Sequence, residues 1–165
     1  LIIDNEMHGE IGILSIDIDG NDYWILNEID CVKPIILITE YNSVFGSERP
    51  ISIPYKSDFV RGDNGLSNLY YGASLSALNH VANEKGYSLL GCNSNGNNAF
   101  FIRDDKLDEL KNIKPLSVAD AFVDAKFREA KDDKNNLLFL HGIDRLKEVK
   151  GLPVVNVISK EQETL

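Results

Sequence analysis

Residues 11–42, IGILSIDIDGNDYWILNEIDCVKPIILITEYN, contain the pattern that decides the fold. The run IGILSIDI is apolar, rich in β-branched side chains and followed closely by Gly20, which predicts a buried interior strand. In the next segment, NDYWILNEID, Asn21 or Asp22 can cap a short helix. After Pro34 the run IILITEYN predicts a second buried strand. A strand, a helix and a strand within about 30 residues form a βαβ unit, whose two strands are parallel.

The segment after this unit divides into a loop and a helix. Residues 43–72 show no sustained hydrophobic period and contain Pro50 and Pro54. Loops of that length in compact domains usually act as lids or binding segments. Residues 73–86, ASLSALNHVANEKG, space their apolar side chains as an amphipathic helix that ends at Gly86.

The remaining third of the chain begins with a hairpin pattern. Apolar runs at 87–92 and 99–103 flank a turn rich in Asn and Gly, which predicts two antiparallel strands. Beyond them we predict a helix over 117–130, a solvated turn in KDDKNN, a short strand at 137–142 and a short helix at 143–151. The sheet is thus expected to end antiparallel.

The composition is that of one soluble globular domain, with 165 residues, 43% hydrophobic and 26% charged. A net charge of −9 opposes binding to phosphate backbones, so nucleic acid is not expected as a partner. No apolar run reaches the roughly 18 residues of a membrane span, so no membrane contact is expected. Cys31 and Cys92 lack CxxC spacing and lie in apolar surroundings, which favours free thiols and a cytoplasmic protein.

Acidic and amide side chains gather at the predicted carboxyl ends of the first two strands. Asp17 and Asp19 alternate along the end of the first strand, and Glu40 and Asn42 alternate along the end of the second. Ligands of open α/β sheets bind in the crevice beyond these ends. Because neighbouring strands lie about 4.8 Å apart, we expect the four side chains to converge on one site.

Two motif-based interpretations of this corner are open. Asp17, Asp19, Asn21 and Glu28 match four ligand positions of a calcium-binding EF-hand loop. Gly20, however, stands at the fourth position instead of the sixth, and a strand replaces the entering helix. Asp17 and Asp19 also form a DxD pair of the kind that holds Mn²⁺ or Mg²⁺ on a diphosphate in glycosyltransferases.

Two chemical roles and one structural role are also open. Asp17 or Asp19, together with Glu40 and Asn42, would supply the oxygen ligands that Mg²⁺ or Ca²⁺ prefers. Without a metal, a carboxylate here can act as general base toward a hydroxyl group. In the structural alternative, Asp17 and Asp19 accept hydrogen bonds from backbone N–H groups around Gly20 and cap the helix.

Several segments resemble FkbM-type proteins, which belong to the class I S-adenosylmethionine-dependent methyltransferases. LSIDIDGNDYWIL, ILITEYN and YYGASLSALNHVANEKGYSLLGCNSNGNNAFFIRDD are similar to that family's fourth strand, fifth strand and final hairpin. KFREAKDDKNNLLFLHGIDRLKEVKGLPVVNV resembles an extension found on one branch. The resemblance implies an α/β fold with a partial Rossmann-like sheet: two parallel strands with a crossover helix, then a helix and a terminal antiparallel hairpin, plus a helical C-terminal extension.

The resemblance covers the chain from about residue 9 to residue 157 and implies an organisation. Residues 1–105 would be the C-terminal half of a methyltransferase-like domain, and residues 106–165 an extension packed on it. No GxGxG motif occurs, and the family's cofactor-binding first three strands have no counterpart here. We therefore expect a fragment that is inactive alone, whose first strand has a bare edge open to self-association.

The predicted site combines the corner with the long loop. Its candidate catalytic residues are Asp17, Asp19 and Glu40, and its candidate substrate-binding residues are Asn42, Arg49, Tyr55, Lys56, Arg61 and Tyr71. The candidate ligands for Mg²⁺ or Ca²⁺ are Asp17, Asp19, Glu40 and Asn42, a set that resembles the strand-end ligands of catechol-type O-methyltransferases.

The sequence thus predicts the acceptor side of an S-adenosylmethionine-dependent methyltransferase acting on a small-molecule or sugar hydroxyl. The alternatives are a noncatalytic interaction module on the same half-sheet and a fragment of a DxD glycosyltransferase.

Overall fold

The computed structural model of the chain describes residues 2–64, 68–127, 130–132 and 134–165. Its strands are β1 (Gly9–Ile16), β2 (Val32–Glu40), β3 (Ile51–Ser52), β4 (Tyr87–Cys92), β5 (Asn98–Arg103), β6 (Pro153–Asn156) and β7 (Gln162–Thr164). Its α-helices are α1 (Asp22–Glu28), α2 (Leu75–Glu84), α3 (Val118–Ala121) and α4 (Ile143–Val149). Short 3₁₀ helices lie at Ile3–Asn5, Ser43–Phe45, Arg61–Asn64 and Asp104–Glu109.

The main sheet is mixed and has four strands in the order β1-β2-β5-β4. β1 and β2 are parallel and are joined by α1, which confirms the predicted βαβ unit. β5 is antiparallel to β2 on one side and to β4 on the other, which confirms the predicted hairpin. The chain therefore has a mixed α/β fold.

Helix α2 begins and ends where its sequence predicts. The hydroxyl oxygen of Ser74 accepts a hydrogen bond from the Ala77 N–H and caps the first turn. Gly86 follows the helix with φ of +80°, a left-handed conformation that glycine adopts at no steric cost. The apolar stripe of α2 is completely buried at Leu75, Leu78 and Val81.

Helices α1 and α2 cover one face of the main sheet. Tyr23 and Leu26 of α1 join the α2 stripe in a buried cluster with Leu37 of β2 and Phe101 of β5. The side chains of the other face lie outside both clusters of buried residues and are exposed or half-buried: Ile11, Ile13, Ile36, Ile38 and Phe100.

β1 was predicted as an interior strand from its apolar run and, from the family resemblance, as a strand with a bare edge in this chain; in the sheet that the structure describes it is an edge strand. β1 pairs only with β2 there and forms the sheet edge. Its Ile13 side chain is 63% exposed. An apolar run shows that a strand suits burial, but only its neighbours determine whether both faces are covered.

A second sheet, which was not predicted from the sequence, joins the long loop to the C-terminal residues. It has the order β3-β6-β7, and Ile51 and Ser52 of the long loop pair with Asn156 and Val155. Around it lies a second buried cluster that includes Phe45, Ile53, Val149 and Val154. The C-terminal residues are thus tied to the loop between β2 and α2.

Two predicted elements of the C-terminal part were wrong. The helix expected over 117–130 is only α3; the next residues are extended, and residues 128–129 lie outside the described residues. Tertiary hydrogen bonds replace the helical ones: the Val123 carbonyl accepts from the Tyr41 hydroxyl, and the Ala125 N–H donates to Ser43. The segment 137–142, expected to be a strand, has only one isolated bridge, between Leu137 and Lys131. The helix predicted at 143–151 is confirmed as α4.

Two further expectations concern the surroundings of the chain. No described helix has the length and the hydropathy that a membrane crossing requires. The thiols of Cys31 and Cys92 are free and half-buried.

Candidate functional site

The turn after β1 is organised by Asp22, the first residue of α1. β1 ends at Ile16, and Asp19 adopts a left-handed backbone conformation with φ of +56°. The buried carboxylate of Asp22 accepts hydrogen bonds of 3.0 Å from the N–H groups of Ile18 and Gly20. Burial raises the pKa of Asp22, and these backbone hydrogen bonds oppose the rise.

This geometry corrects the structural alternative for Asp17 and Asp19. The carboxylate that binds the backbone around Gly20 belongs to Asp22, and the N-cap residue, Asn21, makes no side-chain capping bond. The expected alternation also stops at Ile16, because the strand ends there. Both aspartates are exposed, and Ile18 between them is 49% exposed.

Glu40, the last residue of β2, is a buried carboxylate without a full set of partners. Its side chain is 7% exposed, and its Oε2 atom has no hydrogen-bond partner among the described residues. Burial raises the pKa of Glu40 to about 8, with further increases from the charges of Asp17 and Asp22. The group therefore holds a proton more tightly than an ordinary carboxylate and can exchange it near neutral pH.

Arg61 brings the long loop to this corner. Its Nη1 atom lies 2.6 Å from Oδ1 of Asp19, and its Nε atom donates to the carbonyl of Asn68 at 2.9 Å. The centre of the guanidinium group lies 3.5 Å above the centroid of the Tyr71 ring, in a cation–π contact. Its positive charge lowers the pKa of Glu40, against the larger effect of burial. Arg61 thus contacts Asp19 and Tyr71 and lies within electrostatic range of Glu40.

Asn42 holds the backbone of the loop beside the corner. Its side-chain N–H groups donate to the carbonyls of Leu69 and Tyr71, at 2.8 and 2.9 Å. Its Oδ1 atom accepts from the Val44 N–H at 3.0 Å. These three hydrogen bonds account for the buried amide and make Asn42 an anchor of the segment that carries Tyr71. The substrate-binding and metal roles of Asn42 stay predictions.

The three other loop residues of the predicted site contact other parts of the structure. Arg49 forms an ion pair of 2.6 Å with Glu163 and donates to the Thr164 carbonyl, which fixes the C-terminal strand. The ring of Tyr55 lies edge-on to Trp24. Lys56 is exposed, with its Nζ atom 3.6 Å from Asp58. Tyr55 and Lys56 instead line a neighbouring cleft.

Asp22 and Phe59 also belong to the corner, and neither was predicted as part of it from the sequence. Asp22 follows Gly20 by two residues, a spacing at which an Asp side chain can bind preceding backbone groups, so a signal was present. The Phe59 ring packs so closely on Gly20 that an added Cβ atom would overlap it. No local pattern indicates that contact, because 39 residues separate its partners (59 − 20 = 39).

The metal-ligand hypothesis gains no support from the geometry. No group of three or more His, Cys, Asp or Glu side chains in the described ranges is arranged to hold a metal ion. Asp19 is instead ion-paired with Arg61.

A cavity of about 560 Å³ lies at the other end of the main sheet. Among the charged side chains of its rim, Arg103 binds Glu10, Asp105 and the Lys33 carbonyl, and Lys85 donates to the Ile29 carbonyl. The carboxyl end holds the unpaired Glu40 oxygen, and we place the candidate site there.

Compared with known protein families, curated proteins and solved structures, the chain matches none.

Proposed function

We propose that this chain is the acceptor-binding part of an S-adenosylmethionine-dependent methyltransferase that methylates a hydroxyl group. The observation that carries the proposal is the carboxylate of Glu40, which is buried at the carboxyl end of β2 with one oxygen unpaired among the described residues. Leaving a buried polar atom unpaired costs about 1 to 3 kcal/mol. A hydroxyl group that donates to Oε2 of Glu40 removes that cost on binding.

Glu40 is also suited to accept the proton of that hydroxyl. A general base works best when its pKa lies near the operating pH. Burial raises the pKa of Glu40 to about 8, from its usual value of 4.5. Its carboxylate form is therefore a far stronger base than an exposed glutamate. Proton transfer from the acceptor oxygen to Oε2 converts a weak nucleophile into one that can attack a methyl group.

The charges around Glu40 shift its pKa in opposite directions. Asp17 and Asp22 raise the pKa of Glu40 through their negative charges. Arg61 opposes them, and its contacts with Asp19 and Tyr71 fix it at the rim. The proposed role of Arg61 is to keep the carboxylate form accessible, and that of Asp17 is to strengthen the base.

S-adenosylmethionine would supply the methyl group in such a reaction. The residues described here do not fit its adenosyl part, because the sequence has no glycine-rich turn between a strand and a helix, the feature that nucleotide-type cofactors require. The proposal is therefore limited to the acceptor side.

Titration calorimetry tests the cofactor part of the proposal. S-adenosylmethionine should bind the longest natural polypeptide that contains this sequence, and Glu40→Gln should leave its affinity within about twofold. Glu148→Gln, a change at an exposed glutamate, is the matched control. Absence of binding to that polypeptide would contradict the methyltransferase proposal.

A noncatalytic interaction module is the second candidate, and the sheet itself favours it. The face of the sheet that lacks α1 and α2 carries the apolar side chains of Ile13, Ile36 and Ile38, which lie outside both buried clusters. Such a face suits a further polypeptide layer. Substitution of Glu40 distinguishes the two functions, because the methyltransferase uses it as a base and a noncatalytic module does not.

A further inference from the structure

A cleft of about 350 Å³ opens beside the acidic corner, between the long loop and the second sheet. That volume falls in the range of small-molecule sites. Its lining residues are Ile53, Pro54, Tyr55, Lys56, Phe59, Tyr70, Leu152 and Pro153. Five of these eight are apolar or aromatic residues without an ionisable group, and the other three are Tyr55, Lys56 and Tyr70.

The cleft and the corner share a wall. Phe59 lines the cleft, and its ring also packs on Gly20 in the turn after β1. The side chain of Asn21 donates to the Lys56 carbonyl at 2.9 Å, while its Oδ1 atom is buried without a partner among the described residues. A hydroxyl group at this junction therefore finds an acceptor at Asn21.

The polar groups of the cleft leave little for a polar ligand to bind. The hydroxyl of Tyr70 is committed to the Pro153 carbonyl at 2.5 Å, and burial raises the pKa of Tyr70 to about 12, so the phenol stays neutral. Lys56 lies at the exposed rim. A sugar ring has hydroxyl groups around its edge, and burying them here would leave them unpaired. A flat aromatic ring needs no such partners and can pack on Tyr55 and Phe59.

We propose that this cleft binds an aromatic ring and, resting on the proposed function, that the ring belongs to a phenolic acceptor whose hydroxyl group points to the acidic corner. The cleft then selects the acceptor by its ring, and the corner receives its hydroxyl. Tyr55 is the specificity-determining residue, because its ring is 59% exposed at the cleft and is free to pack on a ligand face.

The single tryptophan of the chain reports on the cleft. Trp24 donates from Nε1 to the Ile53 carbonyl at 2.9 Å, and its ring lies 6.3 Å from that of Tyr55. Titration with p-cresol should therefore change the tryptophan fluorescence saturably. Methyl glucoside, as the hydroxylated non-aromatic probe, should cause no saturable change. Amide chemical shifts in two-dimensional NMR give the same affinity without relying on Trp24.

Substitutions of exposed aromatic residues distinguish p-cresol binding in the cleft from nonspecific binding elsewhere on the surface. Tyr55→Ala should weaken p-cresol binding about tenfold. Phe139→Ala, a matched loss of a 57% exposed aromatic ring outside the cleft, should change it less than twofold. Both side chains are exposed, so neither change should unfold the protein.

The outcomes distinguish this inference from the proposed function. The inference is overturned if p-cresol shows no saturable binding, if both variants weaken it equally, or if methyl glucoside binds as tightly. If p-cresol binds through Tyr55 but is never methylated, the aromatic cleft stands and the methyltransferase proposal fails. If phenols are methylated while Tyr55→Ala leaves their affinity unchanged, the assignment of this cleft fails alone.

Discussion

At the scale of single residues, Glu40 should cost the protein stability when it ionises. Folding raises its pKa from 4.5 to about 8. A group whose pKa rises on folding contributes its full stabilisation below the lower value and loses it as the pH rises to the higher one. In that window the loss is about 1.4 kcal/mol per pH unit. Glu40→Gln removes the ionisation and retains the shape.

The measurement is chemical denaturation of both proteins across pH. Between about pH 5.5 and pH 8, the wild type should lose about 3 kcal/mol of unfolding free energy relative to Glu40→Gln. Asp17→Asn should reduce this loss, because the charge of Asp17 contributes to the raised pKa. Parallel pH profiles of the unfolding free energy for wild type and Glu40→Gln would show that folding does not raise the pKa of Glu40.

Asp22 and Asp19 should differ sharply in their effect on stability. Asp22→Ala leaves the buried N–H group of Gly20 and the partly buried N–H group of Ile18 without their acceptor and should cost about 2 to 5 kcal/mol. Asp19→Ala removes an ion pair from a carboxylate that is 62% exposed and should cost less than about 1 kcal/mol. Thermal unfolding of both variants measures the difference, and equal losses would contradict the assigned roles.

The sequence identified the acidic residues of the corner but not the role of each. Composition and alternation selected Asp17, Asp19 and Glu40 as candidates. Which carboxylate binds the turn depends on where β1 ends and on the left-handed backbone at Asp19, and both are set by tertiary structure. The burial of Glu40 likewise depends on loop residues distant in sequence.

At the scale of elements, the turn after β1 should depend on the absence of a side chain at Gly20. Gly20→Ala would place a methyl group in the Phe59 ring and should cost about 1 to 3 kcal/mol. Gly12→Ala, in β1, meets no atom within 4 Å and should be neutral or slightly stabilising.

A double-mutant cycle checks this contact. Shortening Phe59 to Leu should recover part of the stability lost in Gly20→Ala, because it makes room for the new methyl group. Additive losses in the double variant would contradict the packing of Phe59 on Gly20.

Elements built from local signals were predicted better than elements set by distant partners. The βαβ unit, α2 and the hairpin carry their own hydrophobic period and caps, and all are confirmed. The segment after α3 has a helical pattern but binds Tyr41, Ser43 and Asn95 instead. These bonds join residues about 30 or 80 positions apart, which no local pattern encodes.

At the scale of the whole molecule, the edge of β1 and the apolar face beside it should promote self-association. β1 has no proline and one charged residue, Glu10, so little protects its free backbone groups from another strand. Ile13→Lys places a charge at that edge and should shift the protein toward monomer in sedimentation velocity. Ile158→Lys, at a site of similar exposure away from the main sheet, should not. A wild type that stays monomeric at every concentration would contradict this prediction.

The βαβ unit and the hairpin of the main sheet could be predicted because each joins neighbouring segments of the chain. The second sheet could not, since β3 has only two residues and pairs with β6 about 100 positions away. The acidic corner lies where the two strands of the βαβ unit end, whereas the aromatic cleft lies between the long loop and the second sheet. This difference explains why the sequence located the corner and missed the cleft.

The most direct test of the central claim, that Glu40 is the base for methylation of an acceptor hydroxyl, is methyl transfer from labelled S-adenosylmethionine to p-cresol across pH. The assay uses the longest natural polypeptide that contains this sequence, with Glu148→Gln as control. If Glu40 is the base, the rate of methyl transfer rises with pH to a plateau, with an apparent pKa near the value of about 8 for Glu40. Methyl transfer should be lost in Glu40→Gln. Undiminished transfer in Glu40→Gln, or no labelled methyl ether at any pH, would contradict that claim.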